Sequence, residues 1–347
     1  MKTLNLNSLT NDQNPGTDAL QKKEVRVARK RIALFFLTPI LMVLILLSAW
    51  YLVTGKPLTQ LPGLFQAKLP HYVASFYGVT RPMGVAVNPA GDRIYVTESG
   101  GTGLVQIFDR SGAKIGLLAP PKSTGPTHVP FYVAVDPLTG DVYVSDRPAQ
   151  AIYIYSAQGA YVGSFTPIGN LGGGWQPIGL AFDKQGNFYV SDVSGSAHRI
   201  LVFNRARTLV RTLETNNQLT FPNGIAIDSG GKTYVGDSNN GRVVSFDLDG
   251  KLVVVITRGV GDGELSMPRG MSIDSDNRLY ISDTAAHIIK VYQLKVGNSS
   301  LPKYIGSFGE EGQQDGAFAF PNGLTTDSRS RIYITDRENN RLQVWSY

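Results

Sequence analysis

From residue 71 to the C-terminus, short runs alternate apolar with small or polar residues, the period of half-buried β-strands. In one stretch the runs are Gly224–Asp228, Thr233–Asp237, Val243–Asp247 and Lys251–Thr257. The four-run unit recurs six times. Each copy opens on a proline (Pro82, Pro130, Pro177, Pro222, Pro268, Pro321), and the spacings of 48, 47, 45, 46 and 53 residues match propeller blades. Glycine stands two residues after the proline in every copy but the second, which has Tyr132. The pattern predicts an all-β, six-bladed β-propeller over 71–347.

Aromatic residues hold the same register in all copies. A tyrosine marks the second run (Tyr95, Tyr143, Tyr189, Tyr234, Tyr280, Tyr333) and an aromatic ring the third (Phe108, Tyr155, Phe203, Phe246, Tyr292, Trp345). Such repetition is the signature of packing between sheets rather than of a ligand cage. The last copy ends after its third run, while His71–Gly78 resembles the fourth run of the fifth copy, Lys303–Gly309. Residues 71–78 are therefore expected to close the last blade and to remove two exposed edges.

The pattern changes before residue 71. Residues 32–53 form 22 consecutive positions without a charge, long enough at about 1.5 Å per residue to cross a hydrocarbon core of about 30 Å. Lys22–Arg31 is strongly basic, and Trp50 and Tyr51 stand where an aromatic belt belongs. The expectation is one transmembrane helix, a cytoplasmic basic tail over 1–31, a linker over 54–70 and an extracytoplasmic propeller. A cleaved signal peptide fits less well, because the apolar run is long and no A-x-A site succeeds it.

Charge shows the same division. Residues 1–70 hold 9 of the 33 Lys+Arg and 3 of the 27 Asp+Glu, so the remainder is balanced at 24 of each. The formal net charge of +6 belongs to the anchor region, and no general affinity of the propeller for nucleic acid arises from it. With no cysteine, disulfides and thiolate chemistry are excluded.

The opening P-x-G, the acid closing the second run, the N-x-R before the third and the linker Gly306–Gly323 (GSFGEEGQQDGAFAFPNG) resemble the NHL repeat. That resemblance implies a six-bladed propeller whose first strands line a central channel. It leaves function open, since the fold carries binding modules and enzymes alike.

The residue between proline and glycine is expected to border the channel mouth: Met83, Phe131, Ile178, Asn223, Arg269 and Asn322. Three apolar residues face three polar ones with a single cation, which suits an amphiphilic or peptide-like ligand bearing a carboxylate. The competing expectation is that Arg269 pairs with an acid such as Asp283. A second ring of loop residues comprises Arg147, His198, Arg242, His287 and Arg337, the histidines acting as turn caps or facing a ligand. The acids ending the second runs (Glu98, Asp146, Asp192, Asp237, Asp283, Asp336) recur in every copy, and are expected to accept hydrogen bonds from the turns just after them.

Amidating lyases that resemble NHL propellers carry zinc-ligating histidines at the P-x-G position, and none of the six residues here is histidine. Lactonases of the gluconolactonase type bind a divalent metal through Asn and Asp there. Asn223 and Asn322 fit, but Arg269 stands where a carboxylate is wanted. No metal or other cofactor is expected. The leading expectation is a membrane-anchored module binding a protein, peptide or cell-envelope component. A metal-dependent hydrolase or lyase is the alternative, and RNA binding a weaker one.

Overall fold

Each alternating run becomes a strand, and the strands gather into six four-stranded antiparallel sheets. The computed structural model describes residues 37–39, 41–49, 52–53, 68–121, 128–171, 174–195, 198–213, 218–257, 263–294 and 301–347. It divides into two units, Met1–Ala67 and Lys68–Tyr347. In the first unit the described helical residues are 37–39, 41–49 and 52–53. No helix among the described residues is long and apolar enough to cross a membrane. Residues 1–36, most of the expected linker, and positions 40, 50 and 51 of the expected span lie outside the described residues.

The second unit is a six-bladed propeller. Its first blade consists of Pro82–Val87, Ile94–Glu98, Val105–Phe108 and Lys114–Leu118, paired in that order. The last blade joins Pro321–Thr326, Ile332–Asp336 and Arg341–Ser346 to the N-terminal strand His71–Tyr77. That strand runs antiparallel to the C-terminal one, with His71 opposite Ser346 and Tyr77 opposite Arg341. Tyr72 meets Trp345 edge-on across this seam, ring centroids 6.1 Å apart.

The core lies between the sheets. Phe108, Phe203, Phe246, Tyr280 and Tyr333 are fully buried, and Tyr143 packs at 5.0 Å on both Phe182 and Phe188 of the next blade. The repeated aromatics are therefore packing residues, and they account for much of the apolar burial that drives folding.

The P-x-G opening has a mechanical cause. In every blade the ladder between the first two strands slips between the proline and the residue three positions on, for example between Pro177 and Leu180. The middle residue and the glycine thus leave regular pairing, and the glycine meets the neighbouring blade. A Cβ at Gly179 would run into the backbone carbonyl of Asn223, and one at Gly224 into that of Arg269. Only glycine permits that approach.

Hydroxyls tie the same junctions. Thr97 donates to the carbonyl of Phe131 at 2.9 Å, Ser145 to that of Ile178 at 2.7 Å, and Thr335 to that of Met83 at 2.9 Å. In the fourth and fifth blades the donor moves two residues on. Ser238 bonds the carbonyl of Pro268 at 2.5 Å and Thr284 that of Pro321 at 2.6 Å.

Candidate functional site

The acids that close the second strands set the shape of the loop face. They reach back to the segment that enters the first strand, rather than mainly forward as expected. Glu98 accepts from the backbone N–H of Thr80 at 2.9 Å, Asp192 from Gln176 at 2.9 Å, Asp237 from Thr220 at 2.6 Å and Asp336 from Ala319 at 2.7 Å. Their charge is met by the third strand: Arg199 on Asp192 at 2.9 Å, Arg242 on Asp237 at 2.6 Å and Arg341 on Asp336 at 2.7 Å. Asp192, Asp237 and Asp336 are buried and ion-paired, and Glu98 is buried with hydrogen bonds from Thr80, Thr102 and Gln106, so these acids are structural pins rather than a catalytic ring.

The two histidines are also spent on backbone. Nδ1 of His198 accepts the N–H of Phe221 at 2.8 Å, and Nδ1 of His287 that of Phe320 at 3.3 Å. Asn340 does the same for Arg81 through Oδ1 at 2.8 Å. All three recipients precede a proline and lie in left-handed backbone, with φ of 58° at Phe221, 54° at Phe320 and 47° at Arg81. This conformation is costly for a residue with a side chain, and the side-chain caps help to hold it. It turns Arg81 and Phe221 toward the mouth.

At the mouth lies a pocket of about 350 Å³ lined by Arg81, Met83, Ser99, Val129, Phe131, Arg147, Phe221, Arg269 and Arg337. Four guanidinium groups share this wall with two phenyl rings, and none of these lining residues is acidic. Glu338 is the neighbouring acid, bonded to Arg81 at 2.8 Å and to Arg337 at 2.5 Å. Among the described residues neither Arg147 nor Arg269 has an acid partner. The Arg147 guanidinium lies 5.3 Å from the ring of Phe221 and 5.9 Å from that of Phe131, a cation–π arrangement. Among the described residues Arg269 reaches only the sulfur of Met267, at 3.7 Å. Nε of both Arg269 and Arg337 is buried with no hydrogen-bond partner among the described residues. Burial depresses the pKa of Arg337; Glu338 raises it, while the charges of Arg81 and Arg269 depress it further. The arginines therefore repel one another across the pocket.

Of the six residues expected at the mouth, Met83, Phe131 and Arg269 line this pocket. Ile178, Asn223 and Asn322 do not; all three are fully buried. Nδ2 of Asn223 donates to the hydroxyl of Ser238 at 2.9 Å, and Oδ1 of Asn322 accepts from the hydroxyl of Tyr132 at 3.3 Å. From the second ring Arg147 and Arg337 line the pocket, while Arg242, His198 and His287 serve the scaffold. The expected alternative partner of Arg269 is otherwise engaged. Asp283 faces Lys290 at 3.6 Å and accepts the N–H of Met267 at 2.8 Å.

Tyr132, the residue that replaces glycine, is 7% exposed and sits at the head of the central channel. Burial pushes its phenol well above the usual tyrosine range, and the charge of Arg269 pulls the other way. Below it the channel holds a cavity of about 240 Å³ walled by the first strands, including Val85, Val133, Ile225 and Met271. Among the described residues no three His, Asp or Glu side chains are grouped to hold a metal ion.

Arg81, Ser99, Val129 and Phe221 are the lining residues that the sequence did not single out, and Arg81, Val129 and Phe221 share one position in the repeat. The signal that could have found these three is their position immediately before the blade-opening proline.

Comparison with known proteins places the repeat and the fold. Residues 175–203, 219–246 and 318–345, in the third, fourth and sixth blades, match the family model of the NHL repeat. No curated protein matches the sequence. Among solved structures, a streptogramin B lyase aligns with a TM-score of 0.57 at 14% identity, over 80% of this chain and 98% of that one. A virginiamycin B lyase from Staphylococcus aureus aligns at 0.54 and 15%, over 80% and 99%. Kuenenia stuttgartiensis hydrazine synthase aligns at 0.55 and 15%, over 78% and 97%. At this identity the likeness is one of fold.

Proposed function

We propose that this six-bladed NHL-repeat propeller is a binding module, held to a membrane by the apolar run 32–53, whose arginine-lined mouth takes an anionic ligand with an apolar portion. The observation that carries the reading is the pocket of about 350 Å³ with four guanidiniums and no acid among its lining residues. Like charges so arranged oppose one another until a counter-charge arrives, and a low-dielectric wall strengthens their pull on it. Phe131, Phe221 and Met83 supply the apolar contact. The basic stretch Lys22–Arg31 ahead of the uncharged run supports an anchor with a cytoplasmic N-terminus and an extracytoplasmic propeller.

Catalysis of the lyase type is the second reading, and the fold likeness is what favours it. Against it, none of the described residues that line the pocket is a histidine, aspartate or glutamate able to take a proton near neutral pH. Thermal melting of the full chain with a panel of small anionic and neutral compounds tests the binding reading. Stabilisation confined to anions, and abolished in the Arg147→Glu/Arg269→Glu double variant, is expected. A melting temperature indifferent to every anion would refute it.

A further inference from the structure

Building on that reading of the mouth, we infer that the charged end of the ligand is a dianion, and specifically the phosphate of a small phosphate monoester with an apolar substituent. Charge balance decides between a phosphate and a carboxylate. Arg81, Arg147, Arg269 and Arg337 bring four positive charges, and Glu338 answers one of them, leaving an excess of three. A monocarboxylate leaves two charges unopposed in a half-closed pocket, and a phosphate dianion leaves one. Donor supply points the same way. Among the described residues Arg147 has no acid partner, Arg269 touches only a sulfur, and two guanidinium Nε–H groups are buried without an acceptor. Three terminal phosphate oxygens can accept several forked guanidinium bonds at once, which a carboxylate's two oxygens do less fully.

The pocket also limits the size of the ester's substituent. About 350 Å³ lies at the lower end of small-molecule sites and is too small for a folded partner. The rings of Phe131 and Phe221 flank Arg147, so a substituent attached to the phosphate meets aromatic faces. Tyr132, bonded to Asn322, closes the channel head beneath.

A phosphate monoester gains its second charge near pH 6, whereas a sulfate ester and a carboxylate hold one charge throughout. The titratable and charged groups around the mouth are the four arginines, Glu338, the buried Tyr132 and, one residue from Val129, His128, whose Nδ1 lies 2.6 Å from Asp146. A probe of constant charge therefore reports any titration of these groups.

The test is calorimetric titration of the full chain in detergent with phenyl phosphate, phenyl sulfate and benzoate, at about pH 5 and about pH 7.5, where the phosphate goes from mostly mono- to mostly dianionic. Affinity for phenyl phosphate is expected to rise by about tenfold over that interval, with phenyl sulfate and benzoate nearly unchanged. At the higher pH, Arg147→Ala and Arg269→Ala are each expected to weaken phenyl phosphate by about tenfold or more, the worth of a charge-assisted hydrogen bond. Benzoate binding as tightly as phenyl phosphate at the higher pH, or a flat phosphate profile, overturns the dianion assignment and leaves an anion site standing. Silence with all three probes overturns the anion site as well.

Discussion

The hydroxyl of Thr335 donates to the backbone carbonyl of Met83 at 2.9 Å, joining residues 252 positions apart. The same oxygen accepts the N–H of Gly323 at 2.8 Å. The last blade is thereby tied to the first at the channel, while His71–Tyr77 ties the same blade at the rim. The mouth arginines stand on blades held in place by these two closures.

Replacing Thr335 with valine keeps its shape and removes its hydrogen bonds. The buried carbonyl of Met83 and N–H of Gly323 then lose their partner. A loss of about 1–3 kcal/mol is expected, read as a lower urea midpoint with unchanged slope. An unaltered midpoint would mean that the closure does not depend on this contact.

Deleting residues 71–78 exposes the C-terminal strand Arg341–Ser346 along one edge and strips the ring of Tyr72 from Trp345. Stability should fall by several kcal/mol, out of a typical total of about 5–15 kcal/mol, with aggregation through the freed edge. Melting indistinguishable from the parent would contradict the seam.

Tyr132→Gly restores the motif of the other five copies, yet it should be harmful. The ring is buried at the channel head, and its removal leaves a void over the channel cavity and frees Oδ1 of Asn322. A cost of about 3–5 kcal/mol is expected by analogy with other large-to-small aromatic changes. A variant as stable as the parent, measured by chemical denaturation, would show the plug to be dispensable.

Arg269→Met should leave stability unchanged or raise it by up to about 1 kcal/mol, since it removes a charge with no acid partner beside Arg337. Binding of anionic ligand should be lost in the same variant. Lost stability with binding intact would reverse the assignment and make Arg269 a structural residue.

Protease added to intact cells should digest the propeller and spare the tail if the run 32–53 anchors the chain with its basic flank inside. Protection of the propeller would overturn the orientation.

The sequence alone determined the repeat, the blade count and the packing role of the aromatics. Those depend on periodicity, and periodicity is local and is written six times. The sequence also pointed to Arg269, because a charge among apolar and amide residues breaks the symmetry. Tertiary structure decided which ring residues meet at the mouth. The slip after the proline occurs in all six blades, yet Ile178, Asn223 and Asn322 are fully buried away from the pocket that Met83, Phe131 and Arg269 line. No local pattern encodes that difference, because it depends on how each blade abuts the next and on the single bulky Tyr132. The recruitment of Arg81 and Phe221 is decided in the same way. Their left-handed backbone is held by caps from Asn340, 259 residues away, and His198, on the preceding blade. The freedom of Arg269 rests on Lys290 and the backbone of Met267 engaging Asp283. Competition among partners brought together by ring closure is a property of the assembled molecule.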